Sequence, residues 1–256
     1  MKIAILIGHG QSEGGSYDPG AVNGTYHEFR IAREIGKVAY ERLRQLGVDC
    51  QLVNYDGVFS LSDRIRQFRG KEVDFLAEIH LNSGSSTASG SEVYYFPGDE
   101  IGQKYAAAIS AAVSAVLGLP DRGAKASDYY GIIRETGPTA CLVETCFISS
   151  PDLDKVKTAA GQTVAGTAIA DGIANAAGLQ SSANGWVKVS SDWYWFESGA
   201  AVKNRWVLDG GWWYRLGDDG KMLTGLQEVD GKGYLLNPSR GIVGGIYVPE
   251  GAMLIT

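Results

Sequence analysis

Cysteine, histidine and methionine each occur only three times in 256 residues. Cys50, Cys141 and Cys146 are odd in number and contain no CxxC pair, which excludes a disulfide framework and a cysteine-built zinc site. Free thiols at or near the core, in a chain made in a reducing compartment, are expected instead. Positive charge is also scarce, with 23 Lys and Arg against 29 Asp and Glu for a net charge of −6. That balance argues against nucleic acid as a partner. No apolar run approaches the ~20 residues of a membrane span. The short run after Met1-Lys2 ends in Gly8-His9-Gly10, not in a cleavage site, so no signal peptide is expected. The expectation is a soluble protein made in a cytoplasm.

Glycine, tyrosine and tryptophan are plentiful, and the tryptophans are unevenly placed. All six lie from Trp186 to Trp213, so composition changes near residue 180. The reading is a domain over 1–178, a small-residue linker over 179–185 and a repeat domain over 186–256. Residues 2–8 form a short apolar run stopped by glycine, which reads as a strand buried on both faces. Further strands are expected at 48–54, 73–81 and 139–147, with a more peripheral one at 90–96. Helices are expected from His27 to Leu46, over 60–69, 101–117 and 161–177, and a long loop over 11–25. Strands alternating with helices predict an α/β fold, a doubly wound, mainly parallel sheet flanked by helices. Beyond the linker, Trp186, Trp206, Leu226 and Ile246 recur every twenty residues. Val202, Met222 and Ile242 share one phase, and Trp193-Tyr194-Trp195-Phe196 is answered by Trp213-Tyr214-Arg215-Leu216. That period predicts a small all-β domain of stacked hairpins.

Ligands in open α/β sheets gather beyond the carboxyl ends of the strands. His9 and His80 both fall at such ends, Glu144 closes an otherwise apolar strand, and Glu28 opens a helix. Two imidazoles and a carboxylate are enough for a catalytic zinc, with a further carboxylate to move protons. The plain alternative is that each histidine is a hydrogen-bonded loop residue.

His9-Gly10, Asp18-Pro19-Gly20-Ala21, Glu28, Ile79-His80-Leu81-Asn82, Arg122-Gly123, Ile133-Arg134 and Leu142-Val143-Glu144-Thr145 follow in that order. The series resembles the zinc-dependent N-acetylmuramoyl-L-alanine amidases of the amidase-3 type. The resemblance implies Zn2+ held by His9, Glu28 and His80, with Glu144 as the catalytic carboxylate. It also implies hydrolysis of the amide between N-acetylmuramic acid and L-alanine in bacterial peptidoglycan. Asn82 and Arg134 are candidates for holding substrate or ordering the ligands, with structural roles equally open. Two residues depart from the family pattern. Glu78 stands where a small or hydroxyl residue is usual, and could orient His80, compete as a ligand or form a separate ion pair. Cys146 stands where glycine is usual and could move the strand end or offer a thiol. His27 adjoins Glu28, but neighbours at a helix start point apart, so Glu28 is the expected ligand.

The second domain resembles choline-binding cell-wall repeats, in which aromatic cages attract a quaternary ammonium. Trp186, Trp193, Trp206, Trp213 and Tyr214 match the motif, whereas Leu226, Ile246 and Gly233 replace its tryptophans. The ligand is choline or another wall polymer, and the aromatics could instead be core alone. The combined expectation is a phage endolysin made in the host cytoplasm and acting on the wall after release. A bacterial autolysin exported by another route, a zinc peptidoglycan peptidase and a non-catalytic wall-binding adhesin are the alternatives.

Overall fold

The computed structural model describes residues 1–179, 185–189, 192–197 and 200–236. The chain divides into two compact units, Met1–Leu179 and Gln180–Thr256.

The first unit begins with β1 (Lys2–Ile7). Two short ladders follow, β2 (Gly10–Gln11) with β3 (Tyr17–Asp18) and β4 (Val22–Asn23) with β5 (Tyr26–His27). Then come α1 (Glu28–Gln45), β6 (Asp49–Val53), α2 (Leu61–Phe68), β7 (Phe75–Asn82), β8 (Ser91–Tyr95) and α3 (Glu100–Leu117). The unit closes with β9 (Asp121–Ala126), α4 (Gly131–Glu135), β10 (Thr139–Phe147), α5 (Leu153–Val156) and α6 (Ala159–Ala176). The sheet order is β6-β1-β7-β10-β8-β9. All neighbours run parallel except β10 and β8.

The apolar run of β1 explains its place inside the sheet, between β6 and β7, one strand in from the edge and not at the centre its sequence suggested. Ile3, Ile5 and Ile7 face a core shared with α1, α3 and α6, while Ala4 and Leu6 face a smaller core with Ile65, Phe68, Ile132 and Ile133. Helices therefore cover both faces of a doubly wound, mainly parallel sheet. Close approach needs glycine where α6 crosses its neighbours. A Cβ on Gly166 would lie 2.4 Å from the Ile35 carbonyl, and one on Gly172 2.8 Å from Ile109 Cα. The helix ends follow the sequence signals. Ser60 caps α2, and Gly118 in the left-handed region closes α3.

Three features differ from the expected pattern. The strand expected at 90–96 as a more peripheral one lies outside β7 and β10 but is not the edge, which β9 forms. β9 reads Asp-Arg-Gly-Ala-Lys-Ala, with no apolar alternation to announce a strand, and α4 is too short to show a helical period. The expected loop over 11–25 carries the two small ladders, which fold it back over the carboxyl end of β1. All three cysteines are free and buried, as expected.

The second unit is a series of antiparallel hairpins: β11 (Gly185–Val189) with β12 (Asp192–Glu197), β14 (Trp206–Asp209) with β15 (Trp212–Arg215), and β16 (Gly225–Val229) with β17 (Lys232–Leu236). A two-residue strand, β13 (Ala200–Ala201), also pairs with β12. Cross-strand partners repeat in the expected period: Trp186 with Trp195, Trp206 with Arg215, Leu226 with Leu235. Phe196, Leu216 and Leu236, twenty apart, are each buried at or just past the open end of a hairpin. Residues 180–184 of the expected linker, and Ile242 and Ile246, lie outside the described residues.

Candidate metal centre

The end of β1 turns sharply. His9 has φ 62°, a left-handed backbone uncommon for a residue with a side chain. The turn is held by its surroundings. Asn54 Nδ2 donates to the carbonyls of Ile7 and His9 at 2.8 Å each, and Arg64 Nη1 donates to His9 O at 3.0 Å. Parallel pairing of β1 with β7 brings His80 against the glycine that precedes this turn. A Cβ on Gly8 would lie 2.2 Å from the His80 ring, so only glycine fits there. Glu28 begins α1, and its Oε2 accepts the Ala21 N–H at 2.8 Å, while its Oε1 accepts the Leu81 N–H at 3.1 Å.

These constraints bring three side chains together. Glu28 Oε1 lies 3.2 Å from His9 Nε2 and 2.8 Å from His80 Nδ1, and the possible ligand atoms of the three residues fall within 4.8 Å of one another. The far nitrogen of each imidazole faces another carboxylate. His9 Nδ1 meets Asp18 Oδ2 at 2.8 Å and His80 Nε2 meets Glu78 Oε2 at 3.2 Å. The second contact is close enough for charge attraction but misaligned for a hydrogen bond. Arg64 Nε holds Glu78 in place at 3.0 Å, with both side chains buried.

The donor set fits a zinc ion. If each far nitrogen carries the proton, both near nitrogens turn lone pairs towards the Glu28 oxygen, an arrangement that calls for positive charge between them. Ligands bound at ~2.0–2.2 Å in a tetrahedron sit roughly 3.3–3.6 Å apart, between the 2.8 and 3.2 Å contacts of Glu28 and the 4.8 Å limit of the cluster. The electrostatics agree. Burial opposes charge on all three groups, yet Glu28 and Glu78 raise His80 well above the ordinary histidine range, and Glu28 raises His9. Burial likewise pushes Glu28 up, but the two imidazoles bring it well below the carboxylate range.

Glu144 lies opposite His80 in the β10–β7 register. Its carboxyl is buried and its Oε2 has no hydrogen-bond partner among the described residues. Burial pushes its pKa up to about 7; His80 works against this, and Glu28 and Glu92 add to it. A carboxyl so tuned can both take and give a proton near neutral pH.

The remaining expected residues divide clearly. Glu78 stands behind His80 with Arg64, between the imidazole and the smaller core. Asn82 donates to Glu92 Oε1 at 2.7 Å, and Arg134 bonds the carbonyls of Asp128 and Tyr129 and the side chain of Glu135. Cys146 is buried in the larger core with its thiol pushed up by burial, so it packs the strand end and is not among the converging ligand atoms. His27 contacts Tyr17 OH at 3.1 Å and stays outside the cluster. Sequence reasoning missed Asp18 as the partner of His9, and it missed Glu92. The Glu92 carboxylate is held at about 2, against its burial, by Arg122, Lys125 and Tyr94. A cavity of about 480 Å³ near Lys2, Asp49, Gln67 and Lys71 lies at the opposite end of the strands and contains none of these residues.

In the second unit, ring contacts join Trp186 to Trp195 at 5.3 Å and to Tyr214 at 4.6 Å, and Trp206 to Tyr234 at 4.8 Å. Trp195 and Tyr234 were not expected. Trp193 is half-buried, and Trp213, on the other face of its strand from Tyr214, is exposed.

Residues 3–175 match the N-acetylmuramoyl-L-alanine amidase family Amidase_3. The chain belongs to that family. Residues 184–199 and 204–222 match a cell wall binding repeat, Choline_bind_1. The uncharacterized protein YqiI of Bacillus subtilis (strain 168) is 32% identical over 176 residues, 67% of this chain and 82% of YqiI. The N-acetylmuramoyl-L-alanine amidase LytC of the same organism is 31% identical over 175 residues, 66% of this chain. Those residues are only 34% of LytC. Among solved structures, the catalytic domain of CD27L endolysin, described as targeting Clostridia difficile, superposes with a TM-score of 0.59 at 27% identity. That match covers 68% of this chain and 97% of that one. An N-acetylmuramoyl-L-alanine amidase from Clostridium difficile 630 gives 0.60 at 25% identity, over 68% and 95%.

Proposed function

We propose that the first unit is a zinc-dependent peptidoglycan amidase cleaving the bond between N-acetylmuramic acid and L-alanine, and that the second unit binds the cell wall. The observation that supports this reading most is the convergence of His9, Glu28 and His80 on one point, with Glu144 on the adjacent strand. His9, Glu28 and His80 would hold the zinc ion, whose chemistry there would be to lower the pKa of a water towards ~7 and to polarise the scissile carbonyl. Glu144 takes the proton of the attacking water and passes it to the departing amine of L-alanine. Its elevated pKa suits both steps, because each protonation state is populated near neutrality. The hydrogen bond of Asp18 to the far nitrogen of His9 and the charge of Glu78 beside the far nitrogen of His80 favour the tautomers that face Glu28 with a lone pair.

The aromatic groups of the second unit present the negative ring faces that attract a quaternary ammonium, which favours choline as the wall ligand. Retention on immobilised choline, with release by free choline, supports that ligand; binding to choline-free walls points to another polymer.

Digestion of purified walls tests the reaction. New amino groups belonging to L-alanine, with muropeptides separated into glycan and peptide, are expected, and chelation should abolish the release until zinc is returned. Amines from other residues would make the protein a peptidase. Binding without any release would make it an adhesin.

A further inference from the structure

Beside Glu144 the sheet carries a second set of charged side chains that the hydrolytic chemistry does not use. Glu92 pairs directly with Glu144 across β8 and β10, so both side chains lie on one face. Its Oε1 accepts from Asn82 and from Tyr94 OH at 2.8 Å. Its Oε2 is shared by two cations, Arg122 Nε at 2.6 Å and Lys125 Nζ at 2.9 Å. One carboxylate thus answers two positive charges, each on a side chain 37% exposed.

Arg122 is firmly seated. It stands at the register break between β8 and β9, a kind of irregularity that redirects a side chain. Its stem crosses Gly90, where a Cβ would lie 2.7 Å from Arg122 Cδ, and its guanidinium lies over the Phe147 ring at 5.1 Å. Only Nε is engaged; the two terminal nitrogens have no hydrogen-bond partner among the described residues. A guanidinium braced in this way presents a fork that matches a carboxylate.

We propose that Arg122, with Lys125 beside it, receives a carboxylate of the peptide stem during amide cleavage. The identity of the ligand rests on the amidase reading. Across the sheet the order is His80, Glu144, Glu92 and Gly123, so Glu92 stands two strand spacings, roughly 10 Å, from His80. An extended peptide advances about 3.5 Å per residue, so the α-carboxylate of the residue after L-alanine falls within reach.

The test compares two soluble substrates in the full chain, muramoyl-L-alanyl-γ-D-glutamyl-L-lysine amide and its D-isoglutamine analogue, which differ only in whether the α-carboxylate is free. The wild type is expected to favour the carboxylate form by about tenfold or more in kcat/KM, through KM. In Arg122→Ala that ratio should collapse towards one, and Arg122→Lys, which keeps the charge without the fork, should restore part of it. No preference in the wild type, or an unchanged ratio in Arg122→Ala, overturns the proposal. Calorimetry with the released peptides L-alanyl-γ-D-glutamyl-L-lysine amide and its D-isoglutamine analogue separates this inference from the amidase reading. Tighter binding of the acid without turnover of either substrate would uphold the subsite and remove the amidase assignment. Equal binding together with equal turnover would do the reverse.

Discussion

The two units organise function in opposite ways. In the first, His9, Glu28, His80 and Glu144 are far apart in sequence and meet only because one sheet and one helix start are packed around them. In the second, Trp186 meets Tyr214 and Trp206 meets Tyr234, the same step of twenty-eight residues taken twice, each between adjoining hairpins. A site assembled from distant parts should fail at a single residue, whereas a site repeated along the chain should weaken by degrees.

The sharpest break of that contrast would come from Glu144. Glu144→Gln should lower amide hydrolysis by roughly 10²–10⁴-fold, measured as L-alanine amine release, while wall binding stays intact. Residual activity above a tenth of wild type would mean that another group moves the proton.

The same substitution should stabilise the metal-free chain. The folded state holds the Glu144 proton more tightly than the unfolded state, so this stabilisation is present below about 4.5 and is lost as pH rises through about 7. Glu144→Gln is therefore expected to gain up to about 3 kcal/mol over wild type at pH 8 and little at pH 4, read by denaturant unfolding after chelation. An equal gain at both pH values would show that the carboxyl is not strained by burial.

A smaller effect is expected one step back from the ligands. Glu78→Gln should weaken zinc about 10–100-fold in competition with a chelator, because His80 loses the charge that orients it. Unchanged affinity would make Glu78 a partner of Arg64 alone.

The mildest effect belongs to the repeats. Trp206→Ala should reduce wall binding by about tenfold or less, since the Trp186, Trp195 and Tyr214 group remains, with a cation–aromatic contact worth about 0.5–2 kcal/mol. Complete loss of binding would show that the hairpins act as one site, erasing the contrast between the units.

How much could be read from sequence follows the same division. The apolar run of β1, the glycines around His9, the acidic start of α1 and the acid at the end of an apolar strand are local signals, and they located the converging residues. The role of Asp18, seen only as part of the family series, was hidden because its contact with His9 depends on the β2–β3 ladder, only two residues per strand. Arg122 stood out only as part of the family series, without a role, and Glu92 and Lys125 were hidden, because β9 is polar and because an antiparallel β8 lies between it and β10. The twenty-residue period revealed the hairpins and their register. It could not reveal which aromatics touch, because Trp195 and Tyr234 join their groups through cross-strand and inter-hairpin packing.

The most direct measurement is a zinc titration of the metal-free full chain, followed by X-ray absorption and by L-alanine amine release. One zinc per chain, bound by two imidazole nitrogens and a carboxylate oxygen, with activity rising in step with occupancy, is the expected result. Full amine release after exhaustive chelation, or zinc binding unaffected by His80→Ala, would contradict it.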